Sequence, residues 1–170
     1  MIEITKARDV IGQPALKFLY ERLRADPIPS TVQGSLPVLF FGDPSASVIA
    51  TIGINPSRQE YNSANGQELD GTQRRFETLH SLGASCRSSL DDNQANAAIK
   101  RMRQYFDPNQ PVYSWFSGLC RVVEGMGASF RDRSAAHLDL VQEATDPVWS
   151  QLLKADHARQ RTCYGGISRS

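Results

Sequence analysis

Asn55 stands where an apolar, β-branched run, Val48-Ile-Ala-Thr-Ile-Gly-Ile54, meets Pro56 and Ser57. The run suits a strand covered on both faces, and Pro56 removes a backbone donor and stops the ladder. Ligands in an open parallel α/β sheet bind at the carboxyl ends of strands, so an uncharged amide displayed there is a candidate working group. The plainer role for Asn55 is to start a turn, as Asn-Pro pairs often do. Asp139 is a second candidate. Alternation puts His137, Asp139 and Val141 on one face of a strand and Leu138 and Leu140 on the other, and a carboxylate on a central strand is costly unless paired. It either serves a ligand or is a satisfied buried Asp that caps Thr145 or pairs with an Arg. In the polar loop after Pro56, Glu60 reads as a solvated carboxylate or a contributor to chemistry, and Tyr61 as a lid on the core or a stacking platform. His137 reads as a core histidine. His80 and His157 have no partner pattern, which leaves a metal site unsupported.

The elements that must position these groups follow from periodicity. Residues 14–25 predict a first helix, with Leu16, Leu19, Tyr20 and Leu23 at helical spacing and Pro14 in its first turn. Residues 37–42 predict a strand, Asp43-Pro44-Ser45 a tight turn, and 48–54 the second arm of a hairpin. Residues 58–71 form a polar loop long enough to be functional. Thr72 caps a predicted helix that carries Phe76, Leu79 and Leu82 and ends at Gly83. Asp91 or Asp92 caps the next, with Ile99, Met102 and Phe106 inward. Residues 112–126 predict a third helix whose core stripe is Trp115, Leu119, Val122, Val123 and Met126. Residues 135–141 are a second central strand, and Thr145-Asp146-Pro147 opens a last helix through Trp149, Leu152 and Leu153. Strands separated by helices predict an α/β fold, with 48–54 and 136–141 adjacent and parallel and Asn55 and Asp139 at one cleft.

At 170 residues the chain suits one domain, 1–170, with 156–170 an irregular tail lacking an apolar period. Nineteen Lys and Arg against 18 Asp and Glu leave no global positive field. A local basic rim remains available in Arg58, Arg74 and Arg75 with Arg101 and Arg103, which otherwise read as solvated surface. Cys86, Cys120 and Cys163 are far apart and odd in number, so neither metal spacing nor a disulfide framework results. The N-terminus lacks a secretory pattern and no apolar run approaches the ~20 residues of a membrane span. A cytoplasmic monomer with reduced thiols and no membrane partner is expected.

Gly53-Ile54-Asn55-Pro56-Ser57 resembles the first motif of the uracil-DNA glycosylase superfamily, nearest to its mismatch-specific uracil/thymine branch, whose usual form is Gly-Ile-Asn-Pro-Gly. Arg74-Arg75-Phe76 with Leu79 is similar to that branch's Asn-Arg-Phe-Trp helix, and Leu138-Asp139-Leu140-Val141 with Thr145 is similar to its Thr-Asp-Leu-Val strand. The resemblance covers roughly residues 37 to 155. Two departures stand out. Ser57 replaces a glycine that is free to adopt positive φ, and the superfamily's second motif, His-Pro-Ser or Asn-Pro-Ser, does not occur after Asp139. The C-terminal part of the fold, including at least one strand, is therefore expected to be missing.

The resemblance implies a three-layer sandwich with a central, mainly parallel sheet flanked by helices, and excision of uracil or a related deaminated or mismatched base from DNA without cofactor or metal. It implies that Asn55 positions the attacking water, that Gly53, Ile54, Pro56 and Ser57 shape the pocket wall, and that Asp139 reads the base edge. Tyr61 then stacks on the extruded base, and Arg58, Arg74 and Arg75 hold the DNA backbone. No aspartate in the first motif activates water, so modest catalysis is expected. One rival is an inactive glycosylase fold that binds nucleic acid or protein. Another is an unrelated nucleotide-binding α/β domain, against which stands the absence of a Gly-rich phosphate loop.

Overall fold

The computed structural model of the chain describes residues 5–152; the expected tail, the end of the last helix and any lost strand lie outside the described residues. Within them the fold is mixed α/β. Helices α1 (Thr5–Arg24), α2 (Asp92–Arg103) and α3 (Phe116–Gly125) accompany strands β1 (Ile49–Gly53) and β2 (Ala135–Asp139) and short 3-10 turns. No helix among the described residues is long and apolar enough to cross a membrane.

The β-branched run after Val48 pairs in parallel with β2, in register from Ile49 opposite Ala135 to Gly53 opposite Asp139. Pairing continues past the strand ends, where Leu140 and Val141 N–H donate to the Gly53 and Ile54 carbonyls at 3.2 and 2.8 Å. The hairpin expected between 37–42 and 48–54 does not form. Phe41 and His137 instead exchange backbone hydrogen bonds at 2.9 and 3.0 Å, and Val38 N–H donates to the Gln142 carbonyl at 2.8 Å. Residues 38–41 thus run antiparallel along the other edge of β2, which lies between them and β1. Val38, Leu39, Phe40 and Phe41 are all buried, and a site beside the central strand covers both faces where a hairpin edge would wet one.

The helix expected over 72–83 is also absent. A 3-10 turn, Gly71–Gln73, is capped by Asp70, and the chain is extended at Arg74. Ser81 Oγ accepts the Thr78 N–H and Thr78 Oγ1 accepts the Ser81 N–H at 2.9 and 3.0 Å, the local alternative that Ser and Thr offer to helical bonding. Arg101 donates its guanidinium to the Arg74 and Arg75 carbonyls, which a helix would have needed. α2 forms as expected, with Asp91 and Gln94 closing a capping box and Ile99 and Met102 buried. α3 starts later than expected and is rotated: Phe116 and Val123 are buried, while Trp115, Val122 and Met126 are exposed. Phe116 sets that rotation by joining Phe41, Tyr105, Phe106 and Phe130 in an aromatic core. α1 begins upstream of Pro14 and buries Leu23. Among the described residues beyond Thr145 the chain makes a 3-10 turn, Trp149–Gln151, where the last helix was expected to run.

A buried ion pair ties the chain around the sheet. Arg87 donates through Nη1 and Nη2 to the two Glu143 oxygens at 2.8 and 2.7 Å and through Nε and Nη2 to the Ser35 carbonyl. It fixes the segment after β2 against residues that precede β1.

Candidate functional site

The carboxyl ends of β1 and β2 open on a cavity of about 380 Å³, lined by Gly53 to Ser57 and Glu60 on one side and by His137 and Asp139 on the other. Its remaining walls are aromatic: Phe41, Tyr113, Trp115 and Phe116. The size suits one small heterocyclic ligand.

Asn55 Nδ2 donates to the Pro56 and Glu143 carbonyls at 3.0 and 3.3 Å and to Thr145 Oγ1 at 3.1 Å. Carbonyls only accept, so the amide orientation is fixed and Oδ1 is left for water or ligand. Ser57 accepts the Gln59 N–H and caps the turn Arg58–Glu60 at φ −68°. Positive φ is not required there, so serine in place of glycine costs the backbone nothing.

Gly53 is required by close approach. A Cβ there would stand 2.3 Å from Asp139 Oδ1 and 2.9 Å from His137 Nε2. Its absence lets the Asp139 carboxylate lie against the β1 backbone, 3.4 Å from His137 Nε2. His137 Nδ1 is 2.8 Å from Thr51 Oγ1. Thr51 Oγ1 also lies 3.4 Å from the Ala136 carbonyl, so its single hydroxyl proton serves either that carbonyl or Nδ1, and Nδ1–H donates to Oγ1 in the first case. Among the described residues Asp139 neither caps Thr145 nor pairs with an Arg; its neighbour is His137.

Glu60 is 2% exposed, in place of the solvated loop carboxylate that its polar neighbours suggest. Its Oε2 accepts the Tyr105 hydroxyl at 2.8 Å. Burial pushes its carboxyl up to about 8; the Tyr105 hydrogen bond and the nearby Arg75 charge oppose that rise and Asp139 adds to it.

Of the residues expected in the site, Gly53, Ile54, Asn55, Pro56, Ser57 and Asp139 line the one cavity. Tyr61 does not. It is 2% exposed, its hydroxyl donates to the Leu36 carbonyl and its ring lies 5.7 Å from Phe76, so stacking on a ligand is ruled out and the core reading replaces it. The turn Arg58–Glu60 sends Glu60 to the cavity and the next side chain to the core. Arg58 pairs with Asp146, and Arg74 with Asp70 and Glu77. Arg75 donates to the Gln59 carbonyl and lies over the Tyr113 ring, behind the cavity wall. Tyr113, Trp115, Phe116 and Phe41 went unnoticed as walls because an aromatic at helical or strand spacing reads as core whichever side it faces. Among the described residues no cluster of His, Cys, Asp and Glu is placed to hold a metal. Compared with protein-family models, with curated proteins and with solved structures, the chain matches none.

Proposed function

We propose that the chain is a DNA base-excision glycosylase hydrolysing the N-glycosidic bond of uracil or a related deaminated or mismatched base, built on a three-layer sandwich with a mainly parallel sheet between helices. The observation that carries the reading is that Asn55 and Asp139, from distant parts of the sequence, line one aromatic-walled cavity at the carboxyl ends of paired parallel strands. Its walls suit a flat heterocycle extruded from a nucleic-acid stack. In this reading Asn55 Oδ1 accepts a hydrogen bond from the attacking water while Asp139, held by His137, faces the base edge. The bond from C1′ to the base breaks with its electrons on the base, the water oxygen takes its place, and the surplus water proton passes to solvent.

The test is excision from single- and double-stranded DNA carrying uracil, with alkali cleavage reporting abasic sites. Asn55→Ala is expected to slow excision by on the order of a hundredfold, the effect of losing one positioned group. Asp139→Ala is expected to blur discrimination between bases. A second reading, an inactive binding module, draws on the use of the Asn55 NH₂ group as a structural tie to Glu143 and Thr145. Wild-type signal no higher than that of Asn55→Ala selects it.

A further inference from the structure

Glu60 is the polar group of the cavity that water positioning and base-edge recognition leave unused. Tyr105 orients it. The Tyr105 oxygen accepts the Tyr113 N–H at 3.1 Å, so its own proton lies toward Glu60 Oε2. Because Oε2 is thereby an acceptor, the proton of a neutral Glu60 sits on Oε1. That oxygen has no hydrogen-bond partner among the described residues, yet the sealed side-chain atoms without partners are Arg74 Nε and Arg75 Nε. Oε1 therefore opens on the cavity that Glu60 lines. The charged groups around Glu60 are Arg75 behind the wall and Asp139, with His137 in the same cavity. No Lys or Arg is among the lining residues, so a base departing as an anion would face the Asp139 carboxylate with no permanent cation on the wall to offset it.

We propose that Glu60 is a catalytic general acid that hands its Oε1 proton to the departing base, so that the base leaves as a neutral heterocycle and the site accepts bases that are poor leaving groups as anions. This rests on the glycosylase reading above and extends its substrate class from uracil toward purines and amino-substituted pyrimidines. The C1′–N bond breaks with its electron pair on the base, which takes the Glu60 proton. The water oxygen bonds to C1′ and its surplus proton passes to solvent, from which the Glu60 carboxylate is reprotonated. Water is consumed, and a sugar hydroxyl and a free base result.

Single-turnover excision of uracil, 5-fluorouracil and hypoxanthine from the same DNA position, across pH, tests the proposal in wild type and Glu60→Gln. Glutamine keeps the Tyr105 bond through its carbonyl and aims an NH₂ group into the cavity, so the hydrogen bonding is retained and only the transferable proton is lost. Glu60→Gln is expected to slow uracil and hypoxanthine excision by on the order of a hundredfold and that of 5-fluorouracil, the better anion, far less. The wild-type rate is expected to fall above about pH 8 and the variant's to lack that limb. Equal slowing of all three bases, or an alkaline limb that survives in the variant, overturns the general acid alone. Wild type that excises none of the three overturns the glycosylase reading and the general acid together.

Discussion

Gly53 and Glu60 are the residues whose roles depend most on single atoms. At Gly53 an added methyl would overlap the Asp139 carboxylate and crowd His137, so Gly53→Ala is expected to displace both and reduce excision at least as much as Asp139→Ala does. The protein should stay folded, because Gly53 adopts no positive φ; circular dichroism and the excision assay separate the two effects. Glu60 carries a pH dependence whose sign follows from its raised carboxyl. The folded state holds the proton more tightly than the unfolded chain, so its contribution to stability is complete below about pH 4.5 and is lost as pH rises toward about 8. At about 1.4 kcal/mol per unit the loss is on the order of a few kcal/mol. Denaturant unfolding at several pH values should show it, and Glu60→Gln should flatten the slope.

Among the elements, the segments around β2 depend on the Arg87–Glu143 pair, which is buried on both sides. Arg87→Met leaves a carboxylate without its partner in the core, and about 3–5 kcal/mol of stability should be lost in denaturant melts. Excision should fall as well, because the Glu143 carbonyl and Thr145 hold Asn55. The start of α3 divides its work between Phe116 and the preceding Trp115. Phe116 is 2% exposed and Trp115 56% exposed, yet both line the cavity. Phe116→Ala is expected to cost about 3–5 kcal/mol of stability. Trp115→Ala should leave the melting curve almost unchanged and weaken binding of free base by about 1–3 kcal/mol, the worth of one stacking partner; calorimetry on the two variants checks the contrast.

For the whole molecule, the exposed side of the β1–β2 ladder matters most. Among the described residues β1 has β2 as its only strand neighbour. Val48, Ile52, Ile54 and Leu140 are exposed along the pair. An apolar edge with unpaired backbone groups recruits other chains. The protein is therefore expected to bind a hydrophobic dye and to associate as its concentration rises, against the monomer that the sequence suggests. Ile52→Lys, which leaves the cavity intact, should lower dye binding and association with no loss of excision. Light scattering that finds wild type monodisperse at every concentration would count against an open edge.

The local sequence determined what depends on neighbours along the chain: the β-branched run that ends at Pro56 and the Asp91 cap of α2, whereas the pairing of β1 with β2, also expected, joins segments far apart in the chain. The run and the cap follow from backbone propensity and side-chain capping; the cover expected on both faces of the run does not form, because β1 alternates half-buried Ile49 and Thr51 with exposed Ala50 and Ile52. Tertiary structure decided what depends on which face is turned inward. Residues 38–41 suit a hairpin arm as well as the far edge of β2, and only packing around the aromatic core selects the edge. Phe76, Leu79 and Leu82 sit at helical spacing, but the Thr78 and Ser81 side chains and Arg101 take the backbone groups that a helix would use. Glu60 and Tyr61 are adjacent in one polar loop, and the sequence favours Tyr61 as the ligand contact. A short turn sends Glu60 to the cavity and Tyr61 into the core, and the Tyr105 hydroxyl that orients the carboxyl comes from a segment far along the chain.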